Sequence, residues 1–198
     1  MIRAGSGISM TADTVEAARA AASQALASLA PPVADVAFVF ATTAHAGRLP
    51  EAAETVRELT LTRSLVGCLG LGVFTMDAEI EGGAGLAVLL IGSDGEVAAS
   101  PFMEAGAEAP EGSERVGGKI GRRFRSERDG VLVVLPDVRA FRPSSFFEGL
   151  RMEIGDVPVV GGASCDDGSL GHALQICGAS VERGAISGVM LSGSFSRT

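Results

Sequence analysis

The most informative stretch for the fold is Val36-Ala-Phe-Val-Phe-Ala41. A short, continuous apolar run is typical of a strand that is covered on both faces. An apolar stripe at helical spacing follows from Pro50 to about Arg63, and Leu65-Val-Gly-Cys68 predicts a second buried strand. A strand, a helix and another strand in this order indicate a parallel pair joined by a right-handed crossover.

The residues around this unit complete a half-domain. An Ala-rich helix is predicted over residues 13–30, with Asp13 and Glu16 in the pattern of a capping box. After Cys68, short alternating segments at 73–74 and 78–81 precede an apolar strand at 86–91, which predicts an antiparallel meander.

The same order of elements returns in the second half of the chain. A helix is predicted over 113–124, a strand over 131–135, a helix from Pro143 with Ser145 and Glu148 as its capping box, and a strand over 157–160. Residues 181–193 then overlay residues 80–92 at an offset of 101. The alternative is that two Ala-, Gly- and Val-rich stretches align through composition alone.

The fold class that we predict is α/β, in the sense of mixed α+β. It consists of two duplicated half-domains, each helix-strand-helix-strand plus an antiparallel meander, with mixed sheets and flanking helices. Residues 1–198 would form one domain, with the repeat at 10–93 and 111–194 and a polar, loop-like linker at 94–110.

Composition excludes several classes of function. The chain has 198 residues and a net charge of −8, which repels a nucleic-acid backbone on average. Its three cysteines and two histidines form no zinc-binding pattern, so we expect no metal and no cofactor. Neither a signal sequence nor an apolar run long enough for a membrane span is evident, so we expect a cytoplasmic protein without a membrane partner.

Two glycine-rich turns are the first candidates for a binding site. Gly67 and Cys68 end one predicted strand, and Gly161, Gly162 and Ala163 end its counterpart. Unhindered backbone N–H groups in such turns can hold a ligand carboxylate. Because the turns occupy equivalent places in the two halves, we expect them to lie near each other. The alternative is that these glycines only permit tight turns.

Polar residues near strand ends could bind the remainder of a ligand. Thr42, Thr43 and His45 follow the first central strand, and strand C-terminal ends are where open α/β sheets place ligands. Ser164 and Asp166 lie in a loop, 163–171, found only in the second half. Asp166 could bind an ammonium group or, with its acidic neighbour, a cation; the alternative is a solvated turn.

Cys68 is also the candidate for a nucleophile. A catalytic cysteine needs a nearby base, and His45 and His172 are the two imidazoles in the chain. Nothing in the spacing brings either close to Cys68, so a buried, inert thiol is the alternative.

Several segments together resemble the N-terminal half of the FIST domain, a sensory module. They are the opening 5–9, the strand 34–41, Val66-Gly-Cys68 with Gly72, and Pro158–Ala163 with the closing 184–191. The resemblance implies a sensor that binds a small ligand, with amino acids as the suspected class. Leu69 and Gly70 replace the small hydroxyl residues that the family places after Cys68.

Three functions remain open at this point. The first is a non-catalytic sensory domain that binds an amino acid or related carboxylate. The second is a scaffold whose partner is a signalling protein or a C-terminal FIST half. The third is a hydrolase that depends on Cys68.

Overall fold

The computed structural model of the protein describes residues 1–193. Its first half contains a strand, a helix, a strand, a helix, a strand, a short hairpin and a final strand. A 3-10 helix, Thr43–Arg48, precedes the second α-helix. The elements are β1 (Arg3–Ser9), α1 (Thr14–Ser28), β2 (Val36–Thr42), α2 (Leu49–Thr60), β3 (Leu65–Gly70), β4 (Gly72–Phe74), β5 (Glu79–Glu81) and β6 (Leu86–Gly92).

The second half has the same order of strands and α-helices. Residue 194, the end of the predicted repeat, lies outside the described residues. The elements are β7 (Val97–Glu104), α3 (Gly112–Arg123), β8 (Val131–Pro136), α4 (Pro143–Ile154), β9 (Val159–Gly161), β10 (Leu174–Cys177), β11 (Ser180–Arg183) and β12 (Ile186–Gly193).

The structure confirms the predicted helices and buried strands and corrects several details. The predicted antiparallel meander is wrong in both halves, because β6 pairs with β1 and β2, and β12 pairs with β7 and β8, instead of with the preceding hairpin strand. Strand β1 was not predicted, and the segment expected to be a loop-like linker, 94–110, contains strand β7. The proposed capping box at Ser145 and Glu148 is wrong. Helix α4 begins at Pro143 after Arg142, and no side chain caps it. Asp13 does cap α1, because its carboxylate accepts the N–H of Glu16 at 3.0 Å.

Mixed sheets form the centre of the molecule. The six-stranded sheet has the order β1-β6-β2-β3-β10-β11, and the four-stranded sheet has the order β7-β12-β8-β9. The pairs β2–β3 and β8–β9 are parallel, as the crossover helices require, and the other pairs are antiparallel. Strands β4 and β5 form a separate two-stranded sheet.

The helices lie outside and the sheets face each other inside. Helices α1 and α2 cover the outer face of the six-stranded sheet, and α3 and α4 cover the outer face of the four-stranded sheet. A third apolar cluster joins the inner faces, with Phe38 and Val66 from one sheet and Val133 and Val189 from the other.

Residues at equivalent pairing positions are 95 residues apart on β2 and β8 and 100 residues apart on β6 and β12. Val36 pairs with Ile91 in the first sheet, and Val131 pairs with Leu191 in the second. All four side chains face inward. The offset of 101 suggested by sequence similarity would place the outward Leu90 on the inward Leu191. Side chains alternate between the two faces of a sheet. A register shift of one residue would therefore move inner-face side chains to the outer, helix-covered face and outer-face side chains inward.

Glycines allow α1 to lie directly on β1. A Cβ added at Gly5 would come within 2.2 Å of the Ala25 carbonyl oxygen, and one at Gly7 within 2.1 Å of the Ala21 carbonyl oxygen. The small alanine side chains of α1 and the absence of a side chain at Gly5 and Gly7 together allow this close packing. This contact explains why β1 carries little hydrophobic signal in the sequence.

Candidate functional site

A cleft of about 730 Å³ opens along the inner faces of the two sheets. Among the described residues, no charged side chain lines it, and Ser6, Cys68 and Thr75 are its polar side chains. The walls are otherwise aliphatic, aromatic or glycine backbone. The large apolar members are Phe38, Phe40, Leu69, Val73, Phe74, Met76, Val88, Leu89, Ile91, Val131, Val133, Leu135, Val160 and Leu191.

The structure brings the two glycine-rich segments together at this cleft. Cys68 lines it from β3, and Gly161, Gly162 and Ala163 line it from β9 and the loop that follows. The latter three residues are exposed. A backbone-lined rim therefore stands opposite the apolar wall that carries Cys68.

Gly67 lies outside the cleft lining and has a packing role. A Cβ on Gly67 would come within 1.9 Å of the Val39 carbonyl oxygen, and one on Gly161 within 2.0 Å of the Val134 carbonyl oxygen. Both glycines therefore allow the same close approach between neighbouring parallel strands. Gly161 also has a φ of 142°, which side-chain-bearing residues rarely adopt.

The loop after β9 is held by a buried polar network. Ser164 donates its hydroxyl to the Pro136 carbonyl at 3.0 Å and accepts from the Gln175 amide, whose oxygen accepts the Ala185 N–H. Asp137 accepts the N–H groups of Arg139 and Ala173, each at 2.9 Å. Ser164 is thus engaged inside the protein and lies outside the cleft lining.

Asp166 organises the same loop. One carboxylate oxygen accepts the N–H groups of Gly168, Leu170 and Gly171 at 3.0 Å, and the other lies 3.1 Å from the Arg139 guanidinium. Burial favours protonation, but the N–H groups and the charge of Arg139 outweigh it and lower the pKa of Asp166. This carboxylate is therefore occupied by the protein itself, and it lies outside the cleft lining.

The two threonines after β2 make structural contacts. Thr42 donates to the Gly83 carbonyl at 2.7 Å and accepts the Gly85 N–H at 3.0 Å, which fixes the turn before β6. Thr43 accepts the N–H of Asp167 at 3.2 Å and so ties the first half to the loop of the second. Neither residue lines the cleft.

His45 lies on the helical side of the six-stranded sheet. Its side chain is fully buried, and Nδ1 is 3.0 Å from the hydroxyl of Thr14 in the first turn of α1. No hydrogen-bond partner for Nε2 is found among residues 1–193. Burial lowers the pKa of His45, against a smaller opposing effect of Asp13.

The structure argues against a Cys68–His45 pair. Cys68 belongs to the inner cluster between the sheets, whereas His45 packs with α1 on the outer face. Burial, with a smaller effect from Cys165, raises the pKa of the Cys68 thiol to about 12. A thiol in this state is protonated at neutral pH and is a poor nucleophile.

No group of three or more His, Cys, Asp or Glu residues within 1–193 is placed to hold a metal ion. None of the helices found there is both long enough and apolar enough to span a membrane.

The fold and the cleft define a mixed α/β module with paired sheets inside and helices outside. The sequence matches the FIST N domain over residues 35–197, and the chain therefore belongs to the FIST N domain family, a sensory and signalling class. No curated protein matches the chain.

The solved structures to which the chain is similar include two cyanuric acid hydrolases. One, from A. caulinodans, is 11% identical with a TM-score of 0.45, and the match covers 100% of this chain and 69% of that one. The other is 12% identical with a TM-score of 0.38, covering 96% of this chain and 69% of that one.

Proposed function

We propose that this protein is a cytoplasmic, non-catalytic sensory domain that binds a small ligand in the cleft between its two sheets. The observation that carries the proposal is the cleft itself. Its volume of about 730 Å³ falls in the range of small-molecule sites, and its walls are largely apolar with few polar groups. Membership in the FIST N domain family supports the sensory role.

The ligand class that we propose is an amino acid with a large apolar side chain, or a related carboxylate. Its apolar part would contact Phe40, Leu89 and Ile91, which line the cleft and are half-buried. Its polar end would lie at the rim, where Ser6, Thr75 and the backbone of 161–163 are found. An amino acid with a charged side chain fits less well because no charged side chain of the lining would neutralise that additional charge.

The two halves, in our proposal, are an internal duplication within one domain. The support is the common order of eight strands and helices and the matching pairs of Val36 with Ile91 and Val131 with Leu191. A signalling protein or a C-terminal FIST half would then respond to the ligand-bound state of this duplicated unit.

A dye-based thermal-shift series tests the ligand proposal, since the chain has no Trp. Leucine, isoleucine, phenylalanine and 4-methylpentanoate are compared with glycine, aspartate and lysine. At a ligand concentration of 100 times Kd, the stabilisation is about 2.7 kcal/mol, which raises Tm by about 5–10 °C in a domain of this size. We expect such shifts for the apolar ligands alone.

A matched pair of variants places the site. Leu89→Glu puts a carboxylate on the inner face at a half-buried position, and Leu59→Glu makes the same change at a half-buried position beside the outer core. Each variant is compared with its own ligand-free Tm. We expect Leu89→Glu to abolish the ligand shift and Leu59→Glu to retain it. Equal loss in both, or no shift for any apolar ligand in the wild type, would contradict the proposal.

A further inference from the structure

The two halves are joined by a hairpin that extends an edge strand. Hairpin β10–β11 of the second half pairs antiparallel with β3 of the first, through Ile176 with Gly67 and Cys177 with Val66. Ser187 adds a hydrogen bond of 3.2 Å to the Gly67 carbonyl. The contact runs head to tail, because one half supplies the hairpin and the other supplies the strand edge.

Each half also has the complementary part, and within residues 1–193 neither pairs with a strand of the other half. Val73 and Ile80 hold the hairpin of the first half against its own sheet. Strand β9, the counterpart of β3, ends the four-stranded sheet with no neighbour beyond it, and hairpin β4–β5 pairs only with itself. Leu132 donates its N–H to the Pro158 carbonyl at 2.9 Å. In a parallel ladder with this bond, the N–H groups of Val159 and Gly161 point away from β8.

Strand β9 and hairpin β4–β5 border the same cleft and expose apolar side chains. Val160 of β9 is 53% exposed, while Phe74 of β4 and Met76 in the hairpin turn are 77% and 94% exposed. All three residues line the cleft. Large exposed apolar residues grouped around one opening indicate a protein interface. A single partner at this opening can therefore reach both the strand edge and the hairpin.

We propose that the partner is a second copy of this chain. The hairpin β4–β5 of each copy would pair antiparallel with β9 of the other, so that residues 160–162 take the place that 66–68 have within the chain. The choice of a second copy rests on complementarity. The chain itself carries both the strand edge and the hairpin, and the joint between its halves shows that such parts fit together.

Two copies joined in this way form a closed arrangement. Head-to-tail contacts make a ring when the rotation closes, and here both β9 edges and both hairpins are then used. The same contact closes the open side of each cleft, so the site would be complete only in the dimer. The proposal goes beyond ligand binding, because the pairing involves backbone and apolar groups and needs no ligand.

The charge of the protein predicts how salt affects this association. Each copy carries a net charge of −8, and Glu79 and Glu81 lie on the hairpin. Like charges on the two copies repel at low ionic strength, and salt screens that repulsion. We therefore expect the dimer to strengthen with added sodium chloride.

Sedimentation velocity of the 198-residue, ligand-free chain tests the proposal. From low to high micromolar concentration we expect a monomer–dimer equilibrium. Met76→Glu and Val160→Glu should each raise the dimer Kd by about tenfold or more, because each places a charge in the contact. Met152→Glu, at a 75% exposed position on the outer helix α4, is the control for the added charge and should leave Kd within about twofold.

Hydrogen exchange identifies the surfaces. In the dimer, the N–H groups of Val159 and Gly161 should exchange at least about tenfold more slowly than in the dilute monomer. If Val160→Glu fails to fold, Phe74→Glu tests the same contact from the hairpin. A monomer at every concentration and salt, or a dimer that Met76→Glu leaves intact with unchanged exchange at Gly161, would overturn the proposal.

Discussion

The two halves differ most in the connection that follows the second parallel strand. Leu71 alone joins β3 to β4, whereas residues 162–173 join β9 to β10. The longer connection delivers hairpin β10–β11 to the edge of β3, in the other half. Among the described residues, hairpin β4–β5 has no such partner strand. A longer connection in one half can thus be what joins it to the other.

Substitutions at the strand glycines Gly67 and Gly161 have the largest expected effect on the free energy of unfolding. Gly67→Ala should lower the free energy of unfolding by about 3–5 kcal/mol, because its Cβ meets the Val39 carbonyl oxygen between two central strands. Gly161→Ala makes the equivalent clash at an edge strand that can move, so a smaller loss is expected. Urea denaturation measures both.

Gly162→Ala is the control for these glycine variants, because a Cβ there would have no atom within 4 Å. We expect it to change stability by less than about 1 kcal/mol. A loss at Gly67→Ala no larger than that at Gly162→Ala would show that the close strand approach has no energetic role.

The buried carboxylate of Asp137, which holds the connection 162–173, has the next largest expected effect on stability. Asp137→Ala leaves the N–H groups of Arg139 and Ala173 without their acceptor and should cost about 2–3 kcal/mol. Amides of β10 should also exchange faster, since the loop would no longer position the hairpin. Asp77→Ala, in the exposed turn between β4 and β5, is the matched control and should cost little. Equal losses in the two variants would contradict this role of Asp137.

His45 makes the first half sensitive to acid. Its pKa is lowered by burial, so the unfolded chain binds a proton near pH 6.5 that the folded protein does not. Stability should therefore fall as the pH drops below 6.5 and stop falling below the folded pKa, with a slope of at most about 1.4 kcal/mol per pH unit. His45→Gln should remove this part of the slope in denaturation curves from pH 7.5 to about pH 5. An unchanged slope would show that the burial of His45 is not linked to stability.

A single hydrogen bond between the halves gives the smallest effect. Ser64 donates its hydroxyl to the Ala99 carbonyl at 2.8 Å, so Ser64→Ala should cost about 1 kcal/mol. Ser144→Ala, at an exposed position in α4, is the comparison and should be close to neutral. If denaturation shows no difference between the two variants, this bond does not help to hold the halves together.

The sequence predicted those parts of the fold that depend on local patterns. The apolar runs at 36–41 and 131–135 predicted the central strands because both of their faces are covered. Strand β1 was missed because Gly5 and Gly7 reveal their purpose only through contact with the carbonyl groups of α1. Strand β7 includes Pro101, which weakens a strand signal in the sequence.

The candidate site was likewise predictable only where it depends on local sequence patterns. Residues 161–163 were found because a glycine-rich turn at a strand end is visible in a sequence. Cys68 was expected at such a turn, but β3 continues to Gly70, so Cys68 lines the cleft from within the strand. Asp137 and Gln175 were missed, although a lone glutamine in the apolar strand β10 is a usable signal of a buried polar contact. Thr42, Ser164 and Asp166 were expected to contact a ligand. The partners that occupy Thr42 and Ser164 come from distant parts of the chain, whereas Asp166 is held mainly by N–H groups of its own loop.

The most direct test of the central claim is a methyl NMR titration with an apolar amino acid such as leucine. Neighbouring residues on β6 and β12 provide internal controls, because Ile91 and Leu191 line the cleft while Leu90 and Met190 face the helices. We expect saturable shifts of the Ile91 and Leu191 methyl groups, with much smaller changes at Leu90 and Met190. No shift at the cleft methyl groups at millimolar ligand, or larger shifts on the outer faces, would contradict the claim that this cleft is a ligand site.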